Sequence, residues 1–172
     1  MTRLASFTQH CPYGARPGTR SYVAACDQAT TFAFPRLAGR YAAFVIGSDD
    51  EDAFTSTITV VDLPRGHRLY SRDSLAGSSF PSESVTYYYV RSFALDARGR
   101  TAWGHEWFPD GVCSTGCVAP PIGSDNREVH AHDGVGDRLL DSGPDVQVRS
   151  VAIHNGAVTW TRAGATESIA LR

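Results

Sequence analysis

The stretch VRSFALDARGRTAW, residues 90–103, decides the fold of this chain. An apolar-Ala-apolar run, a glycine turn and a second run with an aromatic residue together predict a β-hairpin. Two further copies of this pattern occur at intervals of about 60 residues, which is the mark of an internal repeat. They are Phe32-Ala33-Phe34 with Gly39 and Phe44, and Val151-Ala152-Ile153 with Gly156 and Trp160. The predicted hairpins span residues 31–45, 91–104 and 149–161.

Equivalent apolar positions in stacked repeats build a shared core. We therefore expect six side chains of the second and third copies to be largely buried: Phe93, Leu95, Trp103, Val151, Ile153 and Trp160. A second kind of hairpin lies between the copies, at residues 58–70 and 129–140. Asp62 and Asp133 open its turns, where an aspartate side chain typically accepts a hydrogen bond from the backbone two residues on.

Two hairpins per repeat make four antiparallel strands, which is the composition of a β-propeller blade. The sequence thus predicts one all-β domain over residues 1–172, with antiparallel four-stranded hairpin repeats. It divides into a cysteine-containing segment and three repeats: 1–30, 31–89, 90–147 and 148–172. About three blades are fewer than the roughly four to eight that close a ring, so the predicted propeller is partial. A β-sandwich or barrel is the alternative, and an incomplete ring would permit oligomers.

Several runs resemble β-propeller-like secreted proteins of actinobacteria. They are LAGRYAAF (residues 37–44), ITVVDL (58–63), DARGR (96–100) and the closing stretch from Leu139 to Arg162. The resemblance covers about residues 32–172 and implies an extracytoplasmic, repeat-built β protein. Because such proteins are mostly of unassigned function, the resemblance carries over no catalytic residue.

The charge argues against nucleic-acid binding, and the hydropathy argues against a membrane-spanning helix. Sixteen basic residues, all of them arginine, face 18 acidic residues, for a net charge of −2. Electrostatic binding of nucleic acid needs a basic excess, so we expect no nucleic-acid partner. A membrane-spanning helix needs about 18 or more consecutive apolar residues, and the sequence contains no such run.

Four cysteines suggest an oxidising compartment. Proximity favours the pairs Cys11–Cys26 and Cys113–Cys117, and Gly116 permits the sharp turn that the second ring needs. Two other pairings remain open on sequence grounds. The first ten residues lack an apolar leader, so either a leader is missing or the cysteines are reduced; we favour the first and expect an extracytoplasmic or secreted protein.

The segment from His130 to Asp133 is the most metal-like part of the sequence. His130 and His132 are two residues apart on a predicted strand, so both side chains share one face and could reach one ion. Glu128 and Asp137 are the nearby candidates for further ligands. A polar strand face without metal is the alternative, and so is a zinc site that combines Cys113 and Cys117 with one of these histidines.

The predicted loops at 47–55 and 105–126 are the candidate ligand-binding surface. By repeat symmetry both should emerge on one face, and loops on a rigid scaffold commonly carry binding residues. Acids there would favour Ca²⁺ or a polyhydroxylated ligand, and the aromatic residues would add apolar area. The residues are Asp49, Asp50, Asp52, Glu106, Trp107, Phe108 and Asp110.

Three functional hypotheses follow. The sequence has no Gly-x-Ser-x-Gly nucleophile motif and no phosphate-binding glycine loop before a helix. We therefore expect a non-catalytic β-repeat module without a cofactor, which is structural or binds a ligand or protein through its inter-strand loops. A metal-dependent hydrolase with Zn or Ca, centred on His130 and His132, is the enzymatic alternative. The third hypothesis is a truncated remnant of a longer propeller.

Overall fold

The computed structural model describes residues 29–50, 53–74, 85–109 and 127–172 of the chain. Within these ranges all regular secondary structure is β, in eleven strands, which confirms the predicted all-β class. The strands are β1 (Ala29–Ala38), β2 (Tyr41–Asp50), β3 (Ala53–Asp62), β4 (His67–Asp73), β5 (Val85–Leu95), β6 (Thr101–Pro109), β7 (Arg127–Asp133), β8 (Gly136–Ser142), β9 (Val146–His154), β10 (Ala157–Arg162) and β11 (Ala165–Ala170). A search of the described residues for a helix able to cross a membrane finds none.

The strands form three antiparallel meanders, in which each strand pairs with its neighbour in sequence. Strands β1–β4 make the first sheet, β5–β8 the second and β9–β11 the third. One parallel pair, Phe54 with Tyr87, joins the first two sheets where β3 and β5 begin. Two four-stranded sheets followed by a three-stranded one are the predicted succession of blades, and the fold is β-propeller-like.

The repeat hairpins are β1–β2, β5–β6 and β9–β10, as the sequence predicts. Their turn glycines, Gly39, Gly99 and Gly156, have φ values of 58°, 83° and 77°. A residue with a Cβ adopts this left-handed region only at a steric cost, whereas glycine does so readily. The glycine spacing that reveals the repeat therefore reflects a backbone requirement of each turn.

Two apolar cores lie on opposite faces of the second sheet. The core toward the first sheet contains Ala43, Val45, Ile58, Val60, Val90, Phe93 and Trp103. The core toward the third sheet contains Ala102, Val129, Ala131, Val146, Val148, Val151, Val158, Trp160 and Leu171. Because side chains alternate along a strand, Ala102 and Trp103 of β6 enter different cores. The second sheet is thus covered on both faces.

Four of the six side chains predicted to be buried are so: Phe93, Trp103, Val151 and Trp160. The other two, Leu95 and Ile153, are half-buried and pack against the margins of the cores. Both lie at or next to the end of their strand, where a hairpin turn leaves one side open to solvent. The repeat positions therefore identify the core, but burial decreases toward the turns.

The strands are longer than the sequence predicts, which corrects the extent of two predicted loops. Strands β2 and β3 pair up to Asp50 and Ala53, so most of the predicted loop 47–55 is strand. Strand β6 continues through Pro109, so the predicted loop 105–126 begins within a strand. Polar and acidic residues at these strand ends resemble a loop in sequence, yet the backbone hydrogen bonds of the ladder continue through them.

Candidate functional site

One face of β7 gathers the polar side chains that the sequence singles out. Glu128, His130 and His132 alternate along the strand and therefore share a face. On β6 the directly paired residues are His105 opposite Glu128 and Trp103 opposite His130. This face is directed at the first sheet, because Trp103 belongs to the core between the two sheets.

His105, Glu128 and His130 form a compact group, here called the His–Glu–His cluster. The Oε2 atom of Glu128 lies 3.1 Å from His105 Nε2 and 2.9 Å from His130 Nε2. The two imidazole rings stack with their centroids 4.6 Å apart, and Trp103 stacks on His130 at 5.4 Å. All three members of the cluster are at most 1% exposed. Such burial of a carboxyl group requires compensating partners, and His130 Nε2 provides one hydrogen bond to it.

The end of β4 covers the cluster. The backbone carbonyl of Ser74 accepts a hydrogen bond from Trp103 Nε1 at 2.9 Å. The same carbonyl lies 3.0 Å from His105 Nδ1. Since a carbonyl oxygen only accepts, Nδ1 carries the hydrogen, and this fixes the orientation of the ring. A backbone group of the first sheet therefore sets the geometry of a cluster in the second.

The structure does not bring His130 and His132 to one partner. His132 Nδ1 lies 2.7 Å from Asp137 Oδ1, and its ring packs on Tyr70 with centroids 4.0 Å apart. Arg72 contacts the other oxygen of Asp137 at 3.4 Å. Of the two further ligands that the sequence suggests, Glu128 contacts His130 and Asp137 contacts His132. The sequence-based pair thus separates into two sites.

His132 contributes to an arginine-lined cleft of about 500 Å³ between the first two sheets. The residues that line it are Leu69, Tyr70, Arg72, Arg98, Gly99, Arg100, His132, Asp133, Gly134 and Arg172. The Tyr70 hydroxyl is 2.7 Å from Thr101 Oγ1, a hydrogen bond that links the sheets across the cleft. Burial raises the pKa of the Tyr70 phenol above its usual range, so the hydroxyl stays neutral at physiological pH.

Asp133 anchors one wall of the cleft. Its carboxylate accepts hydrogen bonds from the backbone N–H of Val135 at 3.0 Å and of Arg172 at 2.9 Å, and it pairs with the Arg138 guanidinium. The bond from Val135 confirms the predicted role of an aspartate that opens a turn. At the equivalent turn the prediction is wrong for Asp62, because the residue two positions on is Pro64, which has no N–H; Asp62 instead pairs with Arg40, and the bond from this guanidinium lowers the Asp62 pKa.

The lowered pKa of Asp133 predicts that the protein loses stability at acidic pH. Burial alone would raise this pKa, but the bonds from Arg172, Val135 and Arg138 outweigh burial and lower it. The stabilisation is therefore present above the unfolded-state pKa of about 3.9 and is lost as pH falls through the lower folded-state value. Asp133→Asn should lower the free energy of unfolding at pH 7 by roughly 2–4 kcal/mol.

Urea denaturation at a series of pH values from about 7 to about 3 measures this effect. The variant should lose less stability on acidification than the parent protein, because the titrating carboxylate is gone. Asp145→Asn, at an exposed turn position, is the matched control and should change neither quantity. Equal acid sensitivity of the parent and the Asp133 variant would contradict the assignment.

The predicted ligand-binding loops leave the same end of the sheets. Cross-strand pairing runs in one row from Asp49 through Phe54 and Tyr87 to Phe108. The ends of β2 and β6 therefore lie at the same end of the sheets, as repeat symmetry predicts, but β3 and β5 lie between them. Glu106 is held by two guanidinium groups, those of Arg91 and Arg127, at 2.9 and 3.1 Å. This neutralises the charge with which Glu106 would bind a cation.

The remaining predicted site residues divide by position. Trp107 is half-buried in β6, whereas Asp49, Asp50 and Phe108 are described as strand backbone only. Asp52, Asp110 and the four cysteines, Cys11, Cys26, Cys113 and Cys117, lie outside the described residues. The two disulfide pairs and the zinc site with Cys113 and Cys117 therefore stay predictions.

Sequence reasoning missed two groupings. The sequence predicts His105 at the start of a loop and therefore does not indicate its pairing with Glu128 across β6 and β7. The sequence also does not bring together Arg98, Arg100 and Arg172, which come from a turn of the second sheet and the end of the third. The spacing of Glu128 and His130 on a strand is a signal for the first grouping, but no local pattern indicates the second.

Comparisons with known proteins give one structural likeness. No protein-family model and no curated protein matches the sequence. Among solved structures, the β-propeller domain of the Trilobed protease from Pyrococcus furiosus, described as having an open velcro topology, is similar to 76% of this chain. The TM-score is 0.47 and the sequence identity 12%. The match covers 33% of that chain, so the present chain spans about a third of its length.

Proposed function

We propose that this chain is a non-catalytic, β-propeller-like module that binds a small anionic ligand in the cleft between its first two sheets. The observation that carries the proposal is the set of four arginines around the cleft, Arg72, Arg98, Arg100 and Arg172, against one lining carboxylate. Guanidinium groups bind carboxylates and phosphates through paired, charge-assisted hydrogen bonds. The cleft volume lies in the range of small-molecule sites.

Two of these arginines remain available for a ligand. Arg100 is committed to Asp96, which it contacts at 2.7 Å through Nε, and Arg72 is committed to Asp137. Among the described residues, no ion pair engages the guanidinium groups of Arg98 and Arg172. Asp133 is already neutralised by Arg138. The cleft therefore has positive charge that its own acids do not balance.

Hydrogen bonds within the protein hold the walls of the cleft in place, so a ligand would not have to order them. Arg100 Nη1 donates to the carbonyl of Leu171 at 2.8 Å, and Gly134 N donates to that of Arg172 at 3.0 Å. These bonds hold the third sheet against the turns of the second. The side chain of Leu69, 45% exposed, adds an apolar wall. A phosphate or carboxylate attached to an apolar group fits this combination.

Two features support binding rather than catalysis. The His–Glu–His cluster is buried away from solvent, so a substrate in the cleft would not reach it. The acids around the cleft, Asp96, Asp133 and Asp137, are each paired with an arginine, which suits structure better than proton transfer. The strand-end surface near Asp49 and Phe108 stays a predicted second binding surface, and the extracytoplasmic location stays a prediction that rests on the cysteines.

Titration with inorganic phosphate, phenyl phosphate and citrate tests the proposal. Calorimetry at low ionic strength should show saturable binding of at least one of these anions, weakened by added NaCl. Phenyl phosphate should bind more tightly than inorganic phosphate because of Leu69. Arg98→Gln and Arg172→Gln should each weaken binding by about tenfold or more.

Arg149→Gln is the matched control, because it removes the same charge from an exposed position outside the cleft. It should leave the affinity unchanged. Absence of saturable binding of all three anions would refute the proposal. An equal loss of affinity in the Arg149 variant would show that only net charge matters.

A further inference from the structure

We propose that the His–Glu–His cluster of His105, Glu128 and His130 is a zinc site that stabilises the fold. This inference does not depend on the anion cleft. It replaces the sequence-based pair of His130 and His132 with a different set of ligands. Each cluster member offers one donor atom, and these atoms all lie within 4.8 Å of one another.

The register of β6 and β7 brings the donors together. His105 and Glu128 are directly opposite each other, and His130 follows Glu128 by two residues on the same face. Strand backbones on both sides hold the three Cα positions, so assembly of the cluster does not depend on a loop. Rigid elements of this kind give a metal site its geometric precision.

The hydrogen bond from His105 to Ser74 is the arrangement found around metal-bound histidines. A metal-bound imidazole normally donates its other ring N–H to a backbone carbonyl or carboxylate, which fixes the tautomer. Here Nδ1 donates to the Ser74 carbonyl at 3.0 Å, and Nε2 points to Glu128 Oε2 at 3.1 Å. In the neutral ring Nε2 carries a lone pair. A lone pair and a carboxylate oxygen at this distance attract each other only through a shared proton or cation.

The donor types select the metal. Two imidazole nitrogens and one carboxylate oxygen form a His₂Glu set, which is a known zinc combination. Ca²⁺ and Mg²⁺ prefer oxygen ligands throughout and so do not suit two histidines. In a tetrahedron with zinc–ligand bonds of 2.0–2.1 Å the donors lie about 3.4 Å apart. The distances of 2.9 and 3.1 Å from Glu128 to the rings need only small adjustments to reach this value.

The position of the cluster points to a stabilising role. It joins two strands of the second sheet directly below the end of β4 of the first sheet, through the Ser74 carbonyl. A metal there would be enclosed by protein, because the ligands are at most 1% exposed. Binding of zinc to the folded state alone raises stability by mass action. Removal of zinc should therefore loosen the contact between the first two sheets.

The test begins with the whole chain, stripped of metal by a chelator and then titrated with ZnCl₂. We expect one zinc per chain by elemental analysis and a rise in Tm of roughly 5–10 °C at saturating zinc. Co²⁺ in place of zinc should give the intense visible absorption of a tetrahedral site. A folded protein that retains no stoichiometric zinc after loading would overturn the proposal and leave a proton-sharing hydrogen-bond network.

Substitutions identify the ligands. His105→Gln and His130→Gln should each weaken zinc binding at least about 100-fold. His132→Gln is the matched control, because it changes the same residue type on the same face of β7 and should leave zinc affinity unchanged. Loss of zinc in the His132 variant, with retention in the His105 variant, would contradict the ligand set.

A measurement on the unmodified chain covers the case in which a variant does not fold. Nitrogen-15 NMR of the histidine rings should show zinc-dependent shifts at His105 Nε2 and at a ring nitrogen of His130. The Nδ1–H of His105 should persist, because Ser74 accepts it. Ring signals of His105 and His130 that do not move when zinc is added would refute the site.

Discussion

Gly104→Ala is expected to destabilise the protein by roughly 3–5 kcal/mol, which is large for the addition of one methyl group. Gly104 lies in β6 where this strand approaches β9 of the third sheet. A Cβ at this position would overlap the backbone carbonyl oxygen of Val148 and lie 2.8 Å from its Cα. A backbone cannot rotate away as a side chain can, so the sheets must separate. The Ser92 hydroxyl, which bonds to the same carbonyl, would lose its partner.

Urea and thermal denaturation measure this effect. Gly134→Ala is the matched control, because the added Cβ would lie 3.2 Å from the carbonyl oxygen of Arg172 at an exposed turn that can adjust. We expect the control to cost less than about 1 kcal/mol. Equal stability of the Gly104 variant and the parent protein would show that the second and third sheets do not approach as closely as described.

Trp103→Ala should cost about 3–5 kcal/mol for a different reason. Among the residues that the structure describes, Trp103 is the largest fully buried side chain, and it belongs to the core between the first and second sheets. Its removal leaves a cavity in the core that also contains Ile58 and Val60, and neighbouring strands cannot collapse to fill it. The Ser74 carbonyl also loses the bond from the indole N–H.

Trp103→Phe separates the two contributions, since it keeps much of the apolar volume and removes the N–H. Its cost should be about half that of alanine or less. Leu37→Ala is the surface control, because Leu37 is 65% exposed and its truncation should be within about 0.5 kcal/mol of the parent protein. A Trp103→Ala variant as stable as the Leu37 variant would contradict the assignment of this core.

The neighbouring residues Trp103 and Gly104 also show what a sequence can reveal. The aromatic residue belongs to a repeated pattern, so its burial follows from periodicity and shared cores. The glycine has no counterpart in the other copies. A glycine inside a strand is a general sign of close backbone approach. Its partner, however, is set by the packing of one sheet on another, and this packing depends on contacts between residues far apart in sequence.

The same limit applies to the candidate sites. The hairpins, the turn glycines and the role of Asp133 could be predicted, because each depends on residues close in sequence. The His–Glu–His cluster depends on the register between β6 and β7, which are separated by a long connection. The cleft depends on how the turns of the second sheet face the end of β4. Neither the register nor this packing is encoded in a local pattern, so the sequence pairs His130 with His132, whereas in the structure His130 contacts Glu128 and His132 contacts Asp137.

The central position of the second sheet determines how a destabilising change in one sheet affects the stability of the others. Each sheet is built from neighbours in sequence, so its own strands can pair without the others. The first and third sheets, by contrast, obtain their cores from opposite faces of the second. In such a linear array stability passes between adjacent units. A defect in the outer sheets therefore weakens one boundary, whereas a defect in β6 weakens both and makes the whole array unfold together.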